Sequence, residues 1–210
     1  MNGYGRPNVT LDTNSLLDLE EGRPAARPLG RLIGLHRAGA LQLGVVVLSA
    51  SERQSDGVYA ADLADFRERM HMLDLGDARP LRPLFRWGLS FPDWAQWPTP
   101  AAERLERRIH RALFPNSPFR WGDCADAAEP NADREVLYAR WRNARLTVLS
   151  LWAHIEHGGG IYVSRDETVW RNDAPARLRA LGVGAVMTPR DAAVHFAGRS
   201  AALDRHSGDT

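Results

Sequence analysis

Apolar side chains fall in two rhythms along this chain. Short continuous runs at residues 9–11, 41–48, 161–164 and 185–187 suit strands covered on both faces, since Val, Ile and Leu fill such positions. Between them apolar residues recur at helical spacing. Residues 15–21 read as a short helix stopped by Gly22 and Pro24. Leu29, Leu32, Ile33 and His36 place a second helix over 26–38, with Gly39 as its stop. A helix carrying Glu52 follows the second run, and Leu63, Phe66 and Met70 continue an amphipathic helix to about residue 71. Residues 72–75 read equally as an edge strand or a helix tail. Further helices are predicted at 133–142, 146–157, 177–181 and 191–196, and a frayed polar tail from 201. His154 and His157, three apart, are better explained by the helix dipole than as a metal pair.

The rhythm breaks at about 76–132. This stretch holds eight of the thirteen prolines and four of the seven tryptophans, Trp87, Trp94, Trp97 and Trp121. Proline at that density excludes long regular elements, and the tryptophans argue against a disordered linker. An insertion packed on the core is predicted, its tryptophans mostly buried, with one helix at 101–113. In that helix Leu105, Ile109 and Ala112 or Leu113 face inward, while Arg104, Arg107, Arg108 and Arg111 face away. A solvated face explains those arginines better than an RNA backbone contact.

Composition narrows the class without naming a function. A chain of 210 residues, 44% hydrophobic and 25% charged, supports a single globular core, read here as one domain over 1–210. No apolar run approaches a membrane span, no secretory signal opens the chain, and the lone Cys124 suits a reducing compartment. A cytoplasmic protein with no membrane partner is expected. The net charge is +1 and every basic side chain besides histidine is arginine, which a GC-rich genome also produces. Arginine content is therefore not read as nucleic-acid binding.

Three of the apolar runs lead into carboxylates: Asp12, Glu52 and Asp166. Asp is also among the best helix N-caps, which would account for Asp12 alone. If the three strands are parallel neighbours, however, all three carboxylates meet at one sheet edge, where ligands bind in open parallel sheets. Three such groups stay ionised together only beside a cation, and hard oxygen ligands select Mg²⁺ or Mn²⁺.

The run VTLDTNSLL at 9–17 resembles the opening of a PIN domain. LSASE at 48–52 is similar to that family's second acidic motif, and GGGIYVSRD at 158–166 to its last. VMTPRD at 186–191 resembles its final strand and closing helix start. The four occur in the family's order, over about 8–75 and 133–198. The resemblance implies a three-layer α/β/α sandwich with a central parallel sheet, here with a Trp/Pro-rich insertion. It also implies a Mg²⁺- or Mn²⁺-dependent ribonuclease, often the toxin of a toxin–antitoxin pair. RNA would be the substrate, and an antitoxin, another protein or a second copy of the chain a candidate partner. Asp12 and Asp166 would hold the metal, Glu52 would bind it directly or through water, and Asn14 would stand beside them. The family usually carries a further aspartate, at a position that falls here on Thr147. Thr147, or Asn143 one turn earlier, offers only a neutral oxygen. A PIN-like domain that binds RNA or a protein without cutting is the alternative.

Overall fold

The central strand is β1 (Asn8–Leu11), and its alternation decides which layer each side chain joins. Val9 and Leu11 enter one apolar cluster. Thr10, between them, faces the opposite layer, where its hydroxyl meets His154 Nδ1 at 2.8 Å. The computed structural model describes residues 6–50, 63–129 and 131–206. They form a sheet of five parallel strands in the order β3-β2-β1-β4-β5. The other strands are β2 (Gln42–Val46), β3 (Arg79–Leu81), β4 (Ile161–Val163) and β5 (Ala185–Met187).

Helices cover both faces, because parallel strands need crossovers that bury both sides of the sheet. On one face α1 (Thr13–Glu20), α2 (Ala26–Arg37), α3 (Leu63–Met72) and α8 (Pro189–His206) pack through Leu16, Leu29, Leu32, Phe66 and Phe196. On the other, α4 (Pro100–Leu113), α6 (Arg134–Glu156) and α7 (Ala174–Arg179) pack through Ile109, Leu149, Trp152 and Leu178. The short α5 (Trp121–Asp126) leans on α6 through Trp121, Tyr138 and Trp141. The result is a three-layer α/β/α sandwich. No helix among the described residues is long and apolar enough to cross a membrane.

Several elements differ from the sequence pattern. The edge strand is Arg79–Leu81, not 72–75: Met72 is the tail of α3, and the chain then turns with Asp74 at φ 62°. Pro80 lacks an N–H, which an edge strand paired on one side tolerates. The extra segment therefore leaves the sheet after Leu81. Residues 133–142 and 146–157 are parts of one helix, α6, because Arg145 between them is buried against Glu106 of α4. Strand β2 ends at Val46 in a 3-10 turn (Val47–Ala50), and α8 runs on to His206.

The tryptophans divide. Trp94 and Trp121 are partly buried, but Trp87 and Trp97 are 83% and 67% exposed, so packing fails for that pair. Their rings flank Phe85 at centroid distances of 5.1 and 4.8 Å. Phe85 and Gln96 are joined through their backbones, and Gln96 reaches His157 just beyond the end of α6. His157 also accepts the Arg82 N–H at 3.0 Å, while His154 turns to Thr10, so the two histidines serve different neighbours.

Entry into β4 depends on Gly160, which has φ +100° and a backbone that passes close to β1. A Cβ there would lie 2.3 Å from the Asn8 carbonyl oxygen, a distance no side chain survives.

His154 is buried, and desolvation lowers its pKa from 6.5 to about 4. The unfolded chain thus takes the proton first as pH falls. The stability His154 contributes is complete above about pH 6.5 and is lost progressively towards pH 4, up to about 3 kcal/mol. His154→Asn keeps a polar partner for Thr10 and removes the titration. Denaturant melts from pH 7.5 to 4 should show the variant losing less stability than wild type. Parallel curves would place the acid sensitivity elsewhere.

Candidate active-site cleft

Strand order sets the location of the cleft. From β1 the chain proceeds to β2 on one side, while β4 lies on the other, so the C-terminal ends of β1 and β4 bound the point where connections diverge. In open parallel sheets that divergence leaves a crevice. Asp12 follows β1 and Ser164 follows β4, brought level by the pairing of Leu11 with Val163.

Asp12 does cap α1: one carboxylate oxygen accepts from the Ser15 N–H at 2.8 Å and the Ser15 hydroxyl at 2.7 Å. Its other oxygen accepts from the Ser164 hydroxyl at 2.5 Å. The same Ser164 oxygen accepts the Asp166 N–H at 3.0 Å. One buried hydroxyl thus ties both acidic residues together. Asp166 in turn accepts the Thr168 N–H at 2.9 Å on one oxygen and faces the Thr147 hydroxyl at 3.3 Å on the other. The Trp170 indole, donating to the Ser164 carbonyl at 3.3 Å, fastens this turn.

Asp12, Ser164, Asp166, Thr147 and Thr168 line an open cleft of about 450 Å³ between the strand ends and the middle of α6. Asn14 and Asn143 also line it, as do Arg140 and Phe114. Asp12, Asp166, Asn14, Asn143 and Thr147 are therefore gathered in one place. Glu52 lies outside the described residues. The exposed Trp87 and Trp97 belong to the far end of α6, since Thr147 and His157 are ten residues, about 15 Å, apart along it.

Burial raises the pKa of Asp12, the bonds from Ser164 and Ser15 oppose that rise, and the charge of Asp166 adds to it. A positive charge in the cleft would counter both the desolvation and the repulsion. The donors suit a hard cation. Asp12 accepts three hydrogen bonds and Asp166 two, so both carboxylates retain lone pairs. Mg²⁺ is commonly held by one or two carboxylates, with waters and substrate phosphates completing its shell. Asp12 and Asp166 fit that pattern. No group of three or more His, Cys, Asp or Glu side chains placed to hold a metal occurs among the described residues.

Sequence reasoning missed Ser164, which looked like the last residue of a strand. The register opposite Asp12 is the signal that marks it. It also missed Asp18 on α1, fully buried, whose carboxylate holds Arg165 Nε at 2.7 Å. Helical spacing from Asn14 puts Asp18 one turn further on, but nothing in the spacing names its partner. No protein-family model matches the chain, and no curated protein matches it.

Proposed function

We propose that the protein is a Mg²⁺- or Mn²⁺-dependent, PIN-like ribonuclease that hydrolyses RNA phosphodiester bonds. The observation that carries this reading is the pair Asp12 and Asp166, joined through Ser164 at an open cleft between adjacent parallel strands. The ordered resemblance of four sequence motifs supplies RNA as the substrate. Asp12 and Asp166 hold the ion, with Glu52 as a third acid by sequence. When bound, such an ion lowers the pKa of a coordinated water and neutralises charge developing on the phosphoryl oxygens. Ser15 and Ser164 keep the Asp12 carboxylate aimed, and Thr147 and Thr168 do so for Asp166. Arg140, exposed on the rim, offers a guanidinium to a phosphate, and Asn143 and Asn14 offer neutral hydrogen bonds.

Incubating RNA oligonucleotides with the protein in Mn²⁺ and in chelator tests the reading. Cutting in Mn²⁺ that stops in chelator is the expected result. RNA binding without cutting at any Mn²⁺ concentration would favour the second reading, a non-cleaving PIN-like domain. Thr147 favours that reading, because a neutral hydroxyl stands 3.3 Å from Asp166 where a further acid would strengthen cation binding.

Thr147→Asp separates the two effects. Like charges about 4 Å apart repel by roughly 4 kcal/mol at an effective dielectric of 20, before solvent screening. The variant should therefore melt a few degrees below wild type in chelator, and Mn²⁺ should raise its Tm further than it raises that of wild type. Identical metal dependence in the two proteins would mean that position 147 does not face the ion.

A further inference from the structure

A second concave surface lies on the α2–α8 face and meets the cleft at the loop that carries Ser164, Arg165 and Asp166. This groove, of about 720 Å³, is lined by Arg27 and Arg31 of α2, Arg165, Thr188 and Arg190 at the start of α8. No Asp or Glu lines it. The chain as a whole balances 27 arginines against 26 acidic residues. Arg27, Arg31 and Arg190 are exposed, and none of them has a hydrogen bond or ion pair with a described residue. Asp191, next to Arg190 in sequence, accepts from the Thr188 hydroxyl at 2.7 Å. Arg165 differs from the other three. Buried Asp18 grips it, which fixes a guanidinium at the border between groove and cleft.

The geometry points to a phosphate-binding track: the groove takes the sugar–phosphate backbone of the same RNA strand whose scissile bond lies over Asp12 and Asp166. This rests on the ribonuclease reading and extends it, because it assigns a place on the protein to the backbone beyond the scissile bond. Continuity through residues 164–166 favours a nucleic-acid strand over a separate partner. Arginine suits the task, since its planar fork pairs with phosphate oxygens through two bonds. Arg165 hands the strand from the acidic cleft, where the ion offsets the carboxylates, to a surface that is positive throughout.

The test measures binding of fluorescein-labelled single-stranded RNA, a 4-mer and a 16-mer of mixed sequence, to the full chain in chelator, where no metal-dependent cutting occurs. Each phosphate contact to a single strand contributes about 0.7 to the slope of log affinity against log salt. For the 16-mer, the variant R27A/R31A/R190A should therefore lose about 2 from that slope. Its deficit relative to wild type should shrink more than about tenfold between roughly 50 and 200 mM salt. The triple lysine variant should keep most of the slope, showing that charge and not folding is read, and the 4-mer should be nearly indifferent. An unchanged 16-mer slope in the alanine variant would overturn the track. So would a poly-glutamate peptide binding as tightly as RNA with the same arginine dependence, which would make the occupant an acidic protein. Cleavage of the 16-mer in Mn²⁺ is scored separately. Its absence alongside an arginine-dependent slope counts against the nuclease and not the groove.

Discussion

Asp12→Asn should reduce Mn²⁺-dependent RNA cleavage to background, a loss of at least about 100-fold, while leaving the fold intact. Removing an outer-shell partner of a metal ligand already costs about 10- to 100-fold, so removing the charge of a ligand itself should cost at least the upper figure. The fold should survive because the side chain keeps its shape. The amide oxygen can still accept from the Ser15 N–H and hydroxyl. The amide nitrogen then faces Ser164, whose hydroxyl oxygen has a second lone pair besides the one taken by the Asp166 N–H. Burial already disfavours the charge of Asp12, so in chelator the variant should melt within about 1 kcal/mol of wild type. Asp166→Asn should behave alike, since Thr168 and Thr147 donate to it. Chelator-resistant cleavage, or full activity in both variants, would remove metal-assisted hydrolysis from consideration.

The largest loss of stability is expected far from that chemistry, at Glu106. This carboxylate is fully buried on α4 and is shared by two guanidiniums. Arg86 meets it at 3.1 Å and 2.5 Å, and Arg145 pairs with it from α6. Arg145 is itself buried, stacked 3.9 Å above the Phe119 ring, and its Nη1 has no hydrogen-bond partner among the described residues. Arginine does not shed its proton to escape such a site. Glu106→Gln would therefore leave a buried cation with no anion, an error that costs about 3–5 kcal/mol. For a chain of this size the midpoint should drop by roughly ten degrees. Glu106→Gln combined with Arg145→Met should recover much of it, because an apolar chain against Phe119 needs no counter-charge. Thermal melts of the single and double variants decide the matter. A double variant no better than the single would show that packing, and not charge, holds α4 to α6.

What the sequence made legible follows from what each signal depends on. Strands β1, β2 and β4 could be read because a buried parallel strand is a continuous apolar run, a local property, and β5, though a half-buried edge strand, is apolar throughout. Asp12 and Asp166 could be placed near one another for a related reason, while Asn14, Asn143 and Thr147 were reached only through the family resemblance. Each of the two acids lies a fixed count from a strand end, and the parallel sheet gathers those ends. Arg79-Pro80-Leu81 escaped because only Leu81 is buried and an edge strand needs no apolar alternation. The continuity of α6 through Arg145 escaped because a charged residue at an inward position looks like an interruption. Its compensating carboxylate lies on another helix, 39 residues earlier. Glu106 was passed over by the same logic, since apolar periodicity cannot see a partner supplied by tertiary structure. The exposure of Trp87 and Trp97 could not be foreseen either. Composition shows that an aromatic is present, not which way its ring turns.

Gly160 gives the cleft an unusual sensitivity to length. With no side chain there, β4 starts hard against the Asn8 carbonyl, and four residues later Ser164 arrives level with Asp12. The chain in effect measures a fixed step from that contact to the hydroxyl that joins the acids. A substitution along the step, Ile161 to Val for instance, changes shape but not the count. A single inserted or deleted residue turns every later side chain to the other face of the sheet, sending Ser164 away from Asp12. Genetic drift at this site should therefore be written almost wholly in exchanges of residue type, with gaps tolerated only on the far side of the glycine turn.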